Sequence, residues 1–246
     1  MTEESELRNE GNEGSEDFSS SNGMTPIQKM VGMLLSPSKT FVQIKIKPDW
    51  LIPMIFILFA TLAVQLVSKP YFFNSRQYEK LIEDTVEKTG MDRESAEKMM
   101  QKQMGIMMPM GGLVMTPIII LVFAGIFFFG GNIILGGTTD FRTMFSLNVY
   151  VAVIGSLGIL LKLPLVIAKG STDVLTNLAI LMPVEMDETI LYKLLYMIDV
   201  VLIWQTVLLA MGFMIIYEWQ QKKANTLVIG IWLLVITVYG VVLALS

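Results

Sequence analysis

The sequence predicts an all-α, polytopic membrane bundle with five transmembrane helices, and three observations carry that prediction. The 246 residues are 53% hydrophobic and only 16% charged, with a mean hydropathy of +0.60, whereas a soluble domain carries roughly 25% charge. Five apolar stretches then fall along the chain, each near the ~20 residues that a helix needs to cross a ~30 Å hydrocarbon core. Lipid also offers the backbone no hydrogen-bond partners, so spans of this kind are helices that satisfy their own amides.

Taken in order, residues 1–23 form an acidic tail with seven acids and one base. It is rich in Glu, Ser, Asn and Gly with little to bury, so a disordered, solvated arm is expected; a partner-binding arm is the second reading. The net charge of −4 thus comes from this tail, and the remainder is faintly basic. Residues 24–49 read as an interfacial amphipathic segment. Ile27, Met30, Val31, Met33, Leu34 and Leu35 suggest one short helix, stopped at Ser36 because a residue before proline avoids the helical region. Phe41, Ile44 and Ile46 against Lys39, Lys45 and Lys47 suggest a second, suited to a surface of anionic headgroups.

Residues 50–246 make up the transmembrane domain, with spans at about 50–67, 113–135, 144–168, 194–217 and 224–245. Between the first two, residues 74–106 form a helical loop outside the membrane. Tyr78, Leu81, Ile82 and Val86 recur at helical spacing, Gly90 can end that helix, and Asp92 can cap a second one bearing Ala96, Met99, Met100 and Met104. The stripes can pack on each other, or the methionines can adapt to a partner.

Orientation follows from basic residues near short loops. One side holds Lys29, Lys39, Lys45, Lys47, Arg142, Lys222 and Lys223; the other holds Lys169 and Lys193 once the long, charge-balanced first loop is set aside. The N-terminus is therefore placed in the cytoplasm and the C-terminus outside, in the inner cell membrane or, in a eukaryote, an endomembrane.

Ionisable residues inside a membrane are the sharpest functional pointers. Lys162 stands near the end of the third span and Asp199 near the start of the fourth, at matching depth on the outer side, so the two are expected to pair. Pro164 would kink the third span beside them. The pair is either a register-fixing ion pair or a polar site for a substrate or proton. Gln65, Asn132, Gln205 and Glu218 are weaker signals of interhelical bonds. Gly125, Gly130 and Gly131 in the second span, and Ala152 with Ser156 in the third, are small residues that let helices approach closely or form a partner surface. Trp204 and the other tryptophans suit interfacial anchoring or packing.

The chain has no His and no Cys, which removes imidazole bases, thiol nucleophiles and soft metal sites. No phosphate loop, nucleophile elbow or dinucleotide fingerprint is present, and no basic patch points to nucleic acid. No cofactor or metal is implied, and the expectation is a protein that is not an enzyme.

Three pieces in order resemble the Yip1 domain family, especially its bacterial and archaeal branch. Leu35-Ser36-Pro37-Ser38-Lys39-Thr40-Phe41 and Lys47-Pro48-Asp49-Trp50-Leu51-Ile52-Pro53 are similar to the approach to its first span. Leu135-Gly136-Gly137-Thr138-Thr139-Asp140-Phe141-Arg142 is similar to its glycine-rich turn before the third span. Ile198-Asp199-Val200-Val201-Leu202-Ile203-Trp204-Gln205, followed by Gly212, resembles its fourth-span signature. The resemblance runs from about residue 34 to the C-terminus and leaves the acidic tail unmatched. It implies five spans, a cytosolic N-terminus and no catalytic residues. Eukaryotic relatives take part in vesicle trafficking and bind prenylated small GTPases, and some prokaryotic ones look like partners of ABC-type exporters. The leading expectation is a non-enzymatic adaptor or scaffold that sits in the lipid bilayer and binds another membrane protein, such as an ABC-type exporter, or itself. The alternative is a small transporter or channel with Lys162 and Asp199 in a polar site; membrane shaping by the interfacial helices is a third reading.

Overall fold

In the computed structural model of the protein, residues 23–245 are described. The acidic tail expected over residues 1–23 lies outside them, Gly23 apart.

Helix α1 (Pro26–Leu35) starts where Thr25 accepts from Gln28 N and the Gln28 side chain accepts from Thr25 N, with proline in the first turn. This reciprocal box satisfies two backbone donors that a helix start leaves free. Ser36 ends α1, and Pro37 opens α2 (Pro37–Ile46). One face of this pair is buried: Met33, Phe41 and Ile44 are fully enclosed and join residues of the later helices in the main core. The other face leaves Ile27, Val31, Leu34, Leu35, Val42 and Ile46 exposed. The segment expected at the interface is therefore docked on the bundle and still presents an apolar stripe outward.

The first span is α3 (Leu51–Phe72). Ser75 caps α4 (Arg76–Thr89), and Gly90 closes it at φ +68°, a left-handed conformation that glycine adopts without steric cost. Asp92 then caps α5 by accepting from Ser95 N. Gly90 and Asp92 thus act as the sequence suggests, but α5 does not stop at the membrane. It runs unbroken over Arg93–Phe128 and passes into a π-helical turn, Phe129–Ile134. The second arm of the loop hairpin and the second span are one rod. The run from Met99 to Met104 is made of strong helix formers, and the helix continues through Gly105 and Pro109 with no capping residue to end it.

Asp140 caps α6 (Phe141–Lys169), taking both the backbone N–H and the hydroxyl of Thr143. Two short 3-10 turns, Leu178–Leu181 and Val184–Met186, lead to α7 (Ile190–Tyr196), α8 (Val200–Ile216) and α9 (Gln221–Leu245). Among the described residues, four helical segments are long and apolar enough to cross a bilayer: Leu51–Phe72, Met107–Ile134, Phe141–Lys169 and Gln221–Val242. The fourth of the expected five spans is the exception. Its chain, expected to run as one helix over residues 194–217, breaks at Met197–Asp199, and α8 remains as an apolar helix of 17 residues. The break arises because the Asp199 carboxylate bonds to backbone N–H, an alternative to continuing the helix.

α6 is the central element. α3 and α5 pack on one side of it, α8 on another, and α9 closes against α8. α1 and α2 cover α6 and α8 near the N-terminal end of α6. Outward-facing Leu51, Phe59, Leu161, Val200 and Leu233 are exposed, a surface suited to lipid rather than water. Outside this body, α4 and the start of α5 share a small core of Phe72, Tyr78, Ile82 and Ala96, backed by Met100, Met104 and Met108.

Candidate functional site

At the C-terminal end of α6, Lys162 Nζ lies 3.1 Å from Asp199 Oδ2, so the pair read from the sequence forms. Its setting differs from the expectation. Asp199 is not inside a span but is the N-cap of α8, with Oδ1 accepting from Leu202 N at 2.7 Å. Its backbone also pairs with Asn177 in an isolated antiparallel bridge, and Leu178 N donates to Ile198 O at 2.9 Å. One carboxylate thus caps a helix, neutralises a lysine and holds the third loop. The side chains remain 32% and 22% exposed, so this is a semi-open ion pair beside a helix N-terminus that itself favours negative charge.

Beyond it, the first and third loops are laced together. Arg76 pairs with Asp173 and Asp187, Lys80 with Asp187 and Glu188, and Lys193 with Glu188. Asn74 donates to Gly170 O, and Thr172 N to Tyr71 O. The charged groups of this lacing line a cavity of about 390 Å³ with Tyr192, Tyr196 and Tyr239. Hydrogen bonds from Lys80 and Lys193 hold the Glu188 carboxyl below the ordinary carboxylate range. Three bases here face four acids, Asp84 included, so the lining is nearly self-neutralised rather than strongly poised for an ion of one sign.

A third cluster was not singled out by the sequence. Lys29 on α1 is fully buried. Its Nζ donates to Asp49 Oδ1 and to Lys47 O, each at 2.7 Å, and Tyr150 on α6 donates to the same Asp49 oxygen at 2.9 Å. Read as a surface charge that sets topology, Lys29 is instead the pin fastening α1 to the loop before α3 and to α6. A lysine flanked by Ile27, Met30 and Met33, with a lone acid before Trp50 and a tyrosine inside an apolar run, is the signal that was present. Nothing local says that the three meet.

The small residues divide. Gly130 lies in the π-helical turn facing Leu227, and Gly131 faces the Tyr217 hydroxyl so closely that a methyl group would not fit. Tyr217 in turn donates to Asn132 at 2.6 Å, and Asn132 to Thr139 O at 2.8 Å. Gly125, expected to pack in the same way, faces open space. The cause is helical spacing: Gly125 lies five and six residues before the glycines of the π turn, and so points away from α8 and α9. Ser156 is buried and donates to Ala152 O at 3.2 Å. Ala152 packs on the α3–α6 contact with Val149 and Val153. Trp204 is an exposed residue of α8. Gln205 ties α8 to Val151 O of α6, and Glu218 pairs with Lys45 of α2.

Among the described residues, no three His, Cys, Asp or Glu side chains gather to hold a metal ion. The polar groups found are ion pairs and helix caps that join elements. A family model described as the Yip1 domain matches residues 31–243. No curated protein and no solved structure matches the chain.

Proposed function

The chain belongs to the Yip1 domain family, and from that premise we propose that it is a non-enzymatic membrane adaptor that binds another integral membrane protein, an ABC-type exporter being the leading candidate. The observation that carries this reading is the α5 rod. Its outer half is fixed by the small core with α4 and still presents Met99, Met107 and Met110 to the outside. Exposed methionines adapt to varied partner surfaces, and the continuous helix joins that surface directly to a membrane span. Crosslinking from residue 99 or 107 in native membranes, followed by mass spectrometry, should recover one stoichiometric membrane protein. Recovery of the chain alone would overturn the adaptor reading in favour of self-association.

The same proposal counts α8 as a fifth crossing, with the N-terminus cytoplasmic and the C-terminus outside. Its support is that α8 joins opposite ends of the bundle. It starts at Asp199 beside Lys162, near the C-terminal end of α6, and ends at Tyr217 beside Asn132, near the N-terminal end of α6. Because the chain has no cysteine, single cysteines at positions 39 and 246 can be labelled with an impermeant maleimide on intact cells. Labelling at 246 and not at 39 is expected; equal labelling would overturn the five-crossing reading.

The exposed apolar stripe of α1 favours a second, compatible role, a wedge in the adjoining leaflet. Vesicles carrying the protein should tubulate, and Leu35→Glu should abolish the effect.

A further inference from the structure

A cavity of about 210 Å³ lies inside the bundle between α5, α6, α8 and α9. Its walls are apolar apart from Asn148, Gln205 and Trp232. Both amides are oriented by their own bonds: Asn148 Nδ2 donates to Met144 O at 2.9 Å and Gln205 Nε2 to Val151 O at 3.1 Å. A carbonyl accepts only from the amide nitrogen, so the two amide oxygens are the groups left over. Neither has a donor among the described residues. Neither is among the side-chain oxygens sealed in protein without a partner, which are those of Asp49, Gln65, Ser146 and Thr176. The oxygens therefore face the open space they line. The Trp232 indole N–H, by contrast, is sealed in protein without an acceptor and does not reach this space.

An apolar setting makes such unpaired groups costly. Water alone does not fill the space, since one molecule occupies about 30 Å³ and needs two to four polar partners. The walls ask for a molecule that is mostly hydrocarbon and carries one neutral group able to donate to an amide oxygen. A hydroxyl is that group. Ile119, half exposed and part of the lining, puts the mouth of the cavity on the surface that faces the bilayer, so the occupant arrives dissolved in lipid. We propose that this cavity is a binding site for a lipid-soluble alcohol. Its hydroxyl donates to Gln205 Oε1, and its chain lies among Phe123, Leu202 and Leu209.

The test uses the full chain in lipid nanodiscs with a diazirine-bearing analogue of 1-dodecanol as photolabel. Saturable labelling is expected on peptides of α5, α6, α8 and α9. Unlabelled 1-dodecanol should compete roughly tenfold better than dodecyl methyl ether or dodecane, the factor expected from one hydrogen bond. Ala152→Leu fills the cavity from its α6 wall while leaving both amides in the chain and should abolish saturable labelling. Gln205→Leu should weaken labelling by about tenfold, again the value of one hydrogen bond. Equal competition by alcohol, ether and alkane on the unmodified protein would overturn the proposal, as would Ala152→Leu labelling like the parent. The competition series decides the matter even if a variant does not fold.

Discussion

Removing the Lys29 side chain should cost more than any other single change at the ends of the bundle. In Lys29→Met, Asp49 loses its one cation among the described residues, and Lys47 O loses a 2.7 Å charge-assisted bond. Asp49 Oδ2 is already buried without a partner, so the Tyr150 hydroxyl alone would support the carboxylate. Breaking a buried ion pair from one side costs about 3–5 kcal/mol, because an uncompensated charge stays behind. Asp49 is 20% exposed and reaches some water, which places the cost at the lower end, ~3 kcal/mol. At about 2–4 °C per kcal/mol for a chain of this size, the melting temperature should fall by ~6–12 °C. The assay is thermal unfolding in detergent followed by tryptophan fluorescence. The informative comparison is the cycle with Asp49→Asn. The double variant carries no buried charge and should recover ~2 kcal/mol of the summed single losses. A drop below about 2 °C for Lys29→Met, corresponding to under ~1 kcal/mol, would refute the reasoning, as would strictly additive losses in the cycle.

The glycines give a paired test: Gly131→Ala places a methyl on the Tyr217 ring and should destabilise by about 1–3 kcal/mol through overpacking, whereas Gly125→Ala meets open space and should stabilise by ~0.5–1 kcal/mol. At the other end of the bundle, Asp199→Asn keeps a good helix cap and loses only a semi-exposed ion pair, so it should cost about 0–1 kcal/mol. Asp199→Ala also loses the cap and should cost ~1 kcal/mol more; chemical denaturation of both variants checks the order. For the loop lacing, Lys80 and Lys193 lower the Glu188 carboxyl. Its contribution is therefore complete above the unfolded carboxylate value near ~4.3 and is lost as pH falls through the lower folded value. Hydrogen exchange over residues 173–193, corrected for intrinsic rates, should stay slow at pH 6 and accelerate only below about pH 4.3; acceleration already at pH 6 would contradict the assignment.

Much of the fold was legible because its signals are local or repetitive. Long apolar runs, the Gly90 stop, the Asp92 cap and the Ser36-Pro37 break each act within one turn of chain. The Lys162–Asp199 pair was legible because equal depth on neighbouring spans brings opposite charges together. The placement of Asp199 was not, since an acid next to an apolar run reads equally as a buried charge and as a cap; the choice depends on Asn177 and Lys162, both distant in sequence. The continuity of α5 was missed because amphipathic and apolar halves of one helix look like two elements. Gly125 shows the limit of counting small residues: five and six residues short of Gly130 and Gly131, it lies on another face of the helix, which a count of glycines ignores. The Lys29–Asp49–Tyr150 cluster spans more than 100 residues between Asp49 and Tyr150, a separation at which no pattern in the chain names the partners.

That same separation sets the order in which the protein can be completed. α1 and α2 leave the ribosome before any span, yet what they bury against arrives last: Tyr150 on α6, Gly212 and Phe213 on α8, and Glu218, which lies 173 residues beyond Lys45. Lys29 must wait in water or among headgroups, charged and unmatched, until α6 is in place. The beginning of the chain is therefore the final piece to seat, and a product truncated before α8 would carry an undocked N-terminus open to quality-control proteases.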